Sequence, residues 1–268
     1  MNTLYFAKRN IKEMLRDPLS YVFALALPVV LFALLNGVFY NPQNAFWFSV
    51  DMMFAGVLTF SYSFAMLFLT ILVSKDKSSA FLSRLFISPM KTKDFVLGYL
   101  AVGLSITLGQ SVILYFTAWI ISAIRGESFM IGGNILAILS QIPTMLTFVS
   151  LGVLFGTLFS EKAGPGITSA IISSCGLFCG AWMPVESFAL SAKGFYILCR
   201  ILPFYPSTVA GRLASGLSKN ALESLEKIGF SFGEYDFLIS FFTSLAYCII
   251  FLSLAIIFFG KMKRKDKK

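Results

Sequence analysis

Lys75-Asp-Lys-Ser-Ser-Ala-Phe-Leu-Ser-Arg-Leu-Phe-Ile-Ser-Pro-Met-Lys-Thr-Lys93 is a basic, amphipathic stretch lying between two long apolar runs. Its cations are Lys75, Lys77, Arg84, Lys91 and Lys93. Ser78 reads as an N-cap, Phe81, Leu82, Leu85 and Phe86 as one apolar arc, and Pro89 as a stop. This pattern predicts a short helix over 78–89, placed at the cytoplasmic mouth of the neighbouring spans. An ordinary basic loop is the bland alternative. The arc, the stop signal and the position favour a docking helix that acts as a rigid lever.

Outward from this stretch, apolar runs occupy about 19–40, 50–74, 95–124, 133–159, 163–182 and 237–260. Each is near or above the ~20 residues that a helix needs to cross a bilayer. Hydrophobic residues make up 57% of the 268 and charged residues 13%. A soluble domain carries roughly 25% charge. Mean hydropathy is +0.80. The expectation is an all-α integral membrane protein of six transmembrane helices, forming a single domain over 1–268. The first run starts after eighteen chiefly polar and basic residues and is long enough to span, so no cleavable signal is expected.

The net charge of +9 does not point to nucleic acid, because the cations sit beside the apolar runs. Six spans put both termini on one side. That side carries Lys8, Arg9, Lys12 and Arg16, the five cations of 75–93, Lys162, and Lys261, Lys263, Arg264, Lys265, Lys267 and Lys268, sixteen of 22 in all. The other side has Arg125, Lys193, Arg200, Arg212, Lys219 and Lys227. The excess predicts a cell-membrane, multi-pass protein with both termini cytoplasmic. Metal chemistry is not indicated. There is no histidine, and Cys175, Cys179, Cys199 and Cys248 lack ligand spacing, so they read as small packing residues.

Residues 2–16 predict a second kind of element. Leu4, Ala7, Ile11, Met14 and Leu15 fall on one arc of a helical wheel, and Arg9, Lys12, Glu13 and Arg16 on the other. That is an amphipathic interface helix with its cations toward headgroups or a partner. Asp17-Pro18 restarts the chain as N-cap and first helical residue of span one.

Residues 183–236 lie outside, yet hold apolar pieces too short to span. Phe195 to Phe204 is apolar apart from Arg200, and Pro203-Phe-Tyr-Pro206 breaks it. Irregular backbone at membrane depth must be buried in protein or line a wet cavity. Residues 184–203, within a region 184–206, are therefore expected to form an extracellular re-entrant helical hairpin before the last span. A surface helix is expected over 219–228, with Leu222, Leu225 and Ile228 on one side and Gly229 ending it. Trp182, Pro184, Arg200, Phe204 and Tyr205 are the candidates for an outer gate. A cation such as Arg200 must snorkel, meet a headgroup or substrate, or pair with an acid such as Glu186.

Two stripes of small and adaptable side chains complete the candidates. Met52, Gly56, Thr59, Ser63, Met66 and Thr70 line one face of span two. Gly166, Ser169, Ser173, Gly176 and Gly180 line span five. Small residues at this spacing allow close helix approach in lipid. Packing within the subunit is one reading; a dimer interface and substrate-path wall is the other. Gln110 and Gln141 must find intramembrane partners or water. Asp51 stands at the outer mouth of span two. No carboxylate pair occurs mid-span.

The chain resembles the type-2 ABC exporter permeases along nearly its whole length. Family coupling loops commonly carry a Gly-Thr pair, Leu-x-x-Leu, then a small residue and Pro. Here Ser79-Ala80 replaces the Gly-Thr pair, Lys77-Ser78 stand where an acid often precedes it, and Leu82-x-x-Leu85 and Ser88-Pro89 match. The late family segment matches Gly180-Ala-Trp-Met-Pro184 and Pro203-Phe-Tyr-Pro206. The resemblance implies a half-transporter that pairs with a second permease subunit, identical or not, and with two copies of an ABC ATP-binding subunit. Phe81, Leu82, Arg84, Leu85, Phe86, Arg9 and Lys12 would dock that ATPase. It also implies that Met52, Thr59, Ser63, Met66, Ser169, Ser173 and Gly176 wall the path or the dimer interface. No Gly-x-x-x-x-Gly-Lys-Ser/Thr loop occurs, so ATP and Mg are expected on the partner and no cofactor on this chain.

The expected function is ATP-driven export of an amphiphile: a drug, an antimicrobial peptide or a lipid. Export of lipid-linked polysaccharide is the rival within the class. An ion-coupled secondary carrier is the rival outside it, and lacks the buried charges and repeat symmetry it would need. A membrane-embedded enzyme is disfavoured by the missing histidine and the absence of carboxylate clusters.

Overall fold

A computed structural model describes residues 2–14, 18–38, 47–79, 81–87, 90–127, 129–183, 185–217 and 219–265. Side chains are described throughout these except at 2–4, 14, 18–24, 219–221, 224 and 265. Asp17, Ala80, Ser88, Pro89 and Pro184 thus lie outside the described residues.

The described chain is all helical. The long elements are α1 (Asn2–Met14), α2 (Pro18–Val38), α3 (Val50–Ser78), the short α4 (Phe81–Leu85) and α5 (Thr92–Arg125). They are followed by α6 (Ile131–Ser140), α7 (Ile142–Leu158) and α8 (Gly164–Phe178). After a single 3-10 turn, Val185–Ser187, come α9 (Phe188–Ser191), α10 (Lys193–Ile201), α11 (Tyr205–Ser215), α12 (Lys219–Lys227) and α13 (Asp236–Lys265). Among the described residues, α3, α5 and α13 are each long and apolar enough to cross a membrane. α6 and α7 form a fourth candidate span bent by 41°. α8, at 15 residues, covers about 22 Å, short of the hydrocarbon core by itself.

α3 and α7 sit at the centre, and α13, α5, α8 and α11 pack around them. The α3–α7 approach depends on missing side chains. A Cβ on Gly152 would stand 2.7 Å from the Met66 carbonyl oxygen, and one on Gly156 would stand 2.6 Å from Val73 Cβ. This Gly-x-x-x-Gly pair lets two backbones meet where lipid offers no hydrophobic drive to hold them. The Tyr62 and Ser111 hydroxyls share a 2.9 Å hydrogen bond, which ties α3 to α5.

The apolar run 133–159 is broken at Gln141. Pro143 has no N–H to continue the ladder and crowds the preceding turn. The Gln141 amide exploits the break. Its Nε2 donates to the carbonyls of Ala55 at 2.9 Å and Ser207 at 3.2 Å, which meets the expectation that this glutamine finds protein partners.

Three local expectations change. Ser78 is not an N-cap but the last residue of α3, whose helix closes with the Ser79 N–H on the Lys75 carbonyl. The described helix after it spans only Phe81–Leu85. The buried face of α1 keeps Ala7 and Ile11 of the aliphatic arc and adds Phe6 and Asn10. Phe6 widens the face: it packs edge-on against Phe95 and Tyr99, over a gap left by Gly98. Finally, α11 is a buried helix where no element was anticipated. Residues 205–212 are all enclosed, packed among α3, α6 and α13.

Candidate functional site

Two polar assemblies stand at opposite ends of the bundle. The first is at the end where α3, α7 and α13 finish and α5 and α8 begin. Asp76, 2% exposed, sits on the last turns of α3. It accepts from the Tyr99 hydroxyl at 2.6 Å and from Arg9 Nη2 and Nη1, at 3.2 and 3.3 Å. Arg9 also pairs with Glu13 and lies 3.7 Å over the Phe81 ring. A carboxylate removed from water needs such a set of donors. Arg9 therefore turns inward rather than toward headgroups, and joins α1, α3, α4 and α5 in one unit.

The same end is pinned from two further sides. Lys77 Nζ donates to the carbonyls of Thr157 at 2.9 Å and Phe159 at 3.1 Å, closing the end of α7. Lys263 of α13 donates to the Met90 carbonyl and lies near the faces of Phe95 and Phe86. Leu82 and Phe86 are each 1% exposed and belong to the chain's own core. Phe81 and Leu85 are half-buried against it. The outward surface of this segment is Arg84 and Ile87, the latter 85% exposed, with Lys12 exposed on α1. Ile87 carried no weight in the sequence reading because it lies off the apolar arc.

The second assembly is at the opposite end. Arg212 of α11 is 2% exposed and forms a buried ion pair with Glu186 of the 3-10 turn. Arg212 Nε also donates to the Met52 carbonyl at 2.8 Å and Nη2 to the Gly180 carbonyl at 3.2 Å. Tyr205 Oη donates to Glu186 at 2.9 Å. Gly180 reaches this geometry at φ +76, a conformation that favours glycine. One guanidinium thus fastens α11, the start of α3 and the turn after α8. Glu186, one of the alternatives open to Arg200, serves Arg212. Arg200 instead pairs with Asp236 at 2.8 Å and bonds the Tyr196 hydroxyl at 3.2 Å, joining α10 to α13.

The remaining candidates divide by exposure. Met52, Thr59, Ser63 and Met66 are buried inside the subunit. Thr59 Oγ1 donates to Ser207 Oγ at 3.0 Å, which couples α3 to α11. Gly176 is covered by the Trp182 ring, which itself meets Phe60 edge-on. Phe204 stacks on Phe148, and Tyr205 is fully enclosed. Ser169 and Ser173 are exposed on α8. Gln110 is buried, and Asp51 lies in the first turn of α3.

The sequence model of the ABC-2 type transporter family matches residues 1–214, which contain both assemblies except for the α13 contacts. The chain belongs to that family. It is a multi-pass integral membrane protein and the membrane subunit of an ABC-2 type transporter, and its domain has no ATPase activity. ABC-2 permeases generally pair with ATP-binding subunits and generally hold no cofactor. Among the described residues, no group of three or more Cys, Asp or Glu side chains is placed to hold a metal ion. No curated protein matches this permease across the chain.

The residues missed from sequence are Asp76, Tyr99 and Arg212, while Glu186 was named but with another partner. In sequence Asp76 is one acid within a basic segment, and Arg212 is one of six outer cations. A signal was present: Arg212 stands alone in the small-residue run Tyr-Pro-Ser-Thr-Val-Ala-Gly-Arg-Leu-Ala-Ser, where a cation needs a specific partner.

Proposed function

We propose that this permease is one half of an ATP-driven exporter of an amphiphilic substrate, a drug, an antimicrobial peptide or a lipid, docked to its ATPase through the α1–α4 end. The carrying observation is the Asp76 assembly. It welds α1, α4 and the ends of α3 and α5 into one body while Arg84 and Ile87 face outward. A push on that surface reaches α3 directly, because α4 follows α3 with no long linker. In this reading both termini are cytoplasmic, α2 and α8 complete six spans, and α10–α11 enter the outer leaflet as the re-entrant element. Two ATP-binding subunits and a second permease subunit complete the assembly. The exposed small residues of α8, Gly166, Ser169 and Ser173, would face the second permease.

The test is co-purification. Arg84→Glu combined with Ile87→Asp changes exposed side chains alone, so the permease should fold while its yield of bound ATPase falls at least tenfold. An unchanged ATPase yield and unchanged substrate-stimulated hydrolysis would remove this surface as the docking element.

A further inference from the structure

Beside the docking surface lies an open groove of about 470 Å³ between the start of α5 and the end of α13. Lys91 and Lys93 rim it on one side, and Lys261 and Arg264 on the other. All four are exposed, and among the described residues none forms an ion pair with a carboxylate. The floor is different in kind: Ile256, Ile257 and Gly260 are apolar, and Ile257 is 51% exposed. Ile256 and Ile257 continue along α13, a candidate membrane span, so the groove runs from a basic rim into the lipid-facing side of a span.

We propose that this groove binds the headgroup of an anionic phospholipid, with one acyl chain laid on Ile256 and Ile257. The rim holds four cations against one carboxylate, Asp94, which accepts from the Lys91 N–H, while Lys261 lies over the Phe258 ring. A phosphodiester suits that excess charge, and basic pockets between membrane helices favour such headgroups. An acidic peptide would satisfy the rim but not the apolar floor. The two walls are already joined by Lys263, which donates to the Met90 carbonyl. A bound headgroup would therefore clamp α13 to the base of the α4 segment and stiffen the docking surface. The lipid site itself does not depend on the docking reading, since the permease alone would carry it.

The test uses the full-length permease without its ATPase, in nanodiscs of mixed phosphatidylcholine and phosphatidylglycerol. Native mass spectrometry reads the lipid retained per chain. Wild type should be enriched in phosphatidylglycerol. Each cation near a membrane surface is worth about fivefold in preference for anionic lipid, so Lys93→Gln/Lys261→Gln/Arg264→Gln should cut the enrichment at least tenfold. Lys8→Gln/Lys75→Gln/Lys162→Gln removes as much charge from the same end but outside the groove, and should leave it nearly unchanged. Gly260→Phe keeps every cation and fills the floor; a Cβ there meets only Thr92, at 3.6 Å. It too should lose the enrichment. Equal loss in both glutamine triples, or full enrichment in Gly260→Phe, would mean a diffuse positive field and overturn the site. Displacement of the lipid by inorganic phosphate alone would mark a small-anion site and overturn the lipid assignment.

Discussion

Arg212→Met keeps the length and apolar stem of the side chain and removes the guanidinium. The loss falls on three groups at once: Glu186, the Met52 carbonyl and the Gly180 carbonyl. Glu186 is 1% exposed and would be left with the Tyr205 hydroxyl as its described donor. Removing one partner of a buried ion pair costs about 3–5 kcal/mol, because the other charge stays buried and uncompensated. At about 2–4 °C per kcal/mol for a chain of this size, the midpoint of thermal unfolding should fall by roughly 6–20 °C. Trp47 and Trp182 line the small cavity beside Arg212, so tryptophan fluorescence of the purified permease reports the site during melting. The double variant Arg212→Met/Glu186→Leu removes both charges and should recover most of the loss, since replacing a whole buried pair by apolar groups is often near neutral. A single variant that melts with wild type, or a double variant no more stable than the single, would refute the claim that this pair fastens α11.

Other outcomes follow from the same geometry. Asp76→Asn leaves Arg9 without its buried charge, so α1 should detach more readily; limited proteolysis near residues 8–12 should accelerate several-fold, and unchanged cleavage would count against the weld. Arg200→Leu breaks a pair that is 27% and 15% exposed, more open than the Arg212–Glu186 pair at 2% and 0%; its melting midpoint should drop less than that of Arg212→Met, and loss of export by a well-assembled variant would mark Arg200 as a gate residue. Gly152→Leu forces a side chain into the Met66 carbonyl and should destabilise by about 1–3 kcal/mol or block expression. Gly166→Leu meets nothing within 4 Å and should melt as wild type does, while weakening permease pairing in crosslinking assays if α8 forms the subunit interface.

The parts of this fold that follow from composition and period were legible in the sequence. Long apolar runs read directly as α3, α5 and α13, and the Pro-x-x-Pro break at 203–206 did end α10 and open α11. The bounds of α12 match to within a residue, with Leu225 on its buried side and Gly229 at φ +73, but Leu222, expected beside Leu225, is 42% exposed. What pairing decides was not legible. Wheel positions on α1 cannot reveal that Gly98, far along the chain, leaves room for Phe6. Nor can local sequence tell that Glu186 meets Arg212 rather than Arg200, because both choices satisfy the same rule that a buried charge needs a partner. The small stripe of α3 had two readings at equal spacing. Its burial against α7, α8 and α11 accounts for Met52, Thr59, Ser63 and Met66 as packing within the subunit, and leaves the exposed Ser169 and Ser173 as the candidates for contact with a second one.

The most direct test of the coupling claim is photo-crosslinking in the native membrane. A photoreactive residue at position 87 should give an adduct with an ATP-binding subunit, recognised by a peptide carrying a phosphate-loop motif. The same residue at position 222, on the exposed face of α12 at the opposite end, should give none. Failure to form the adduct at 87, or its formation from 222, would contradict the assignment of the α1–α4 end as the ATPase dock.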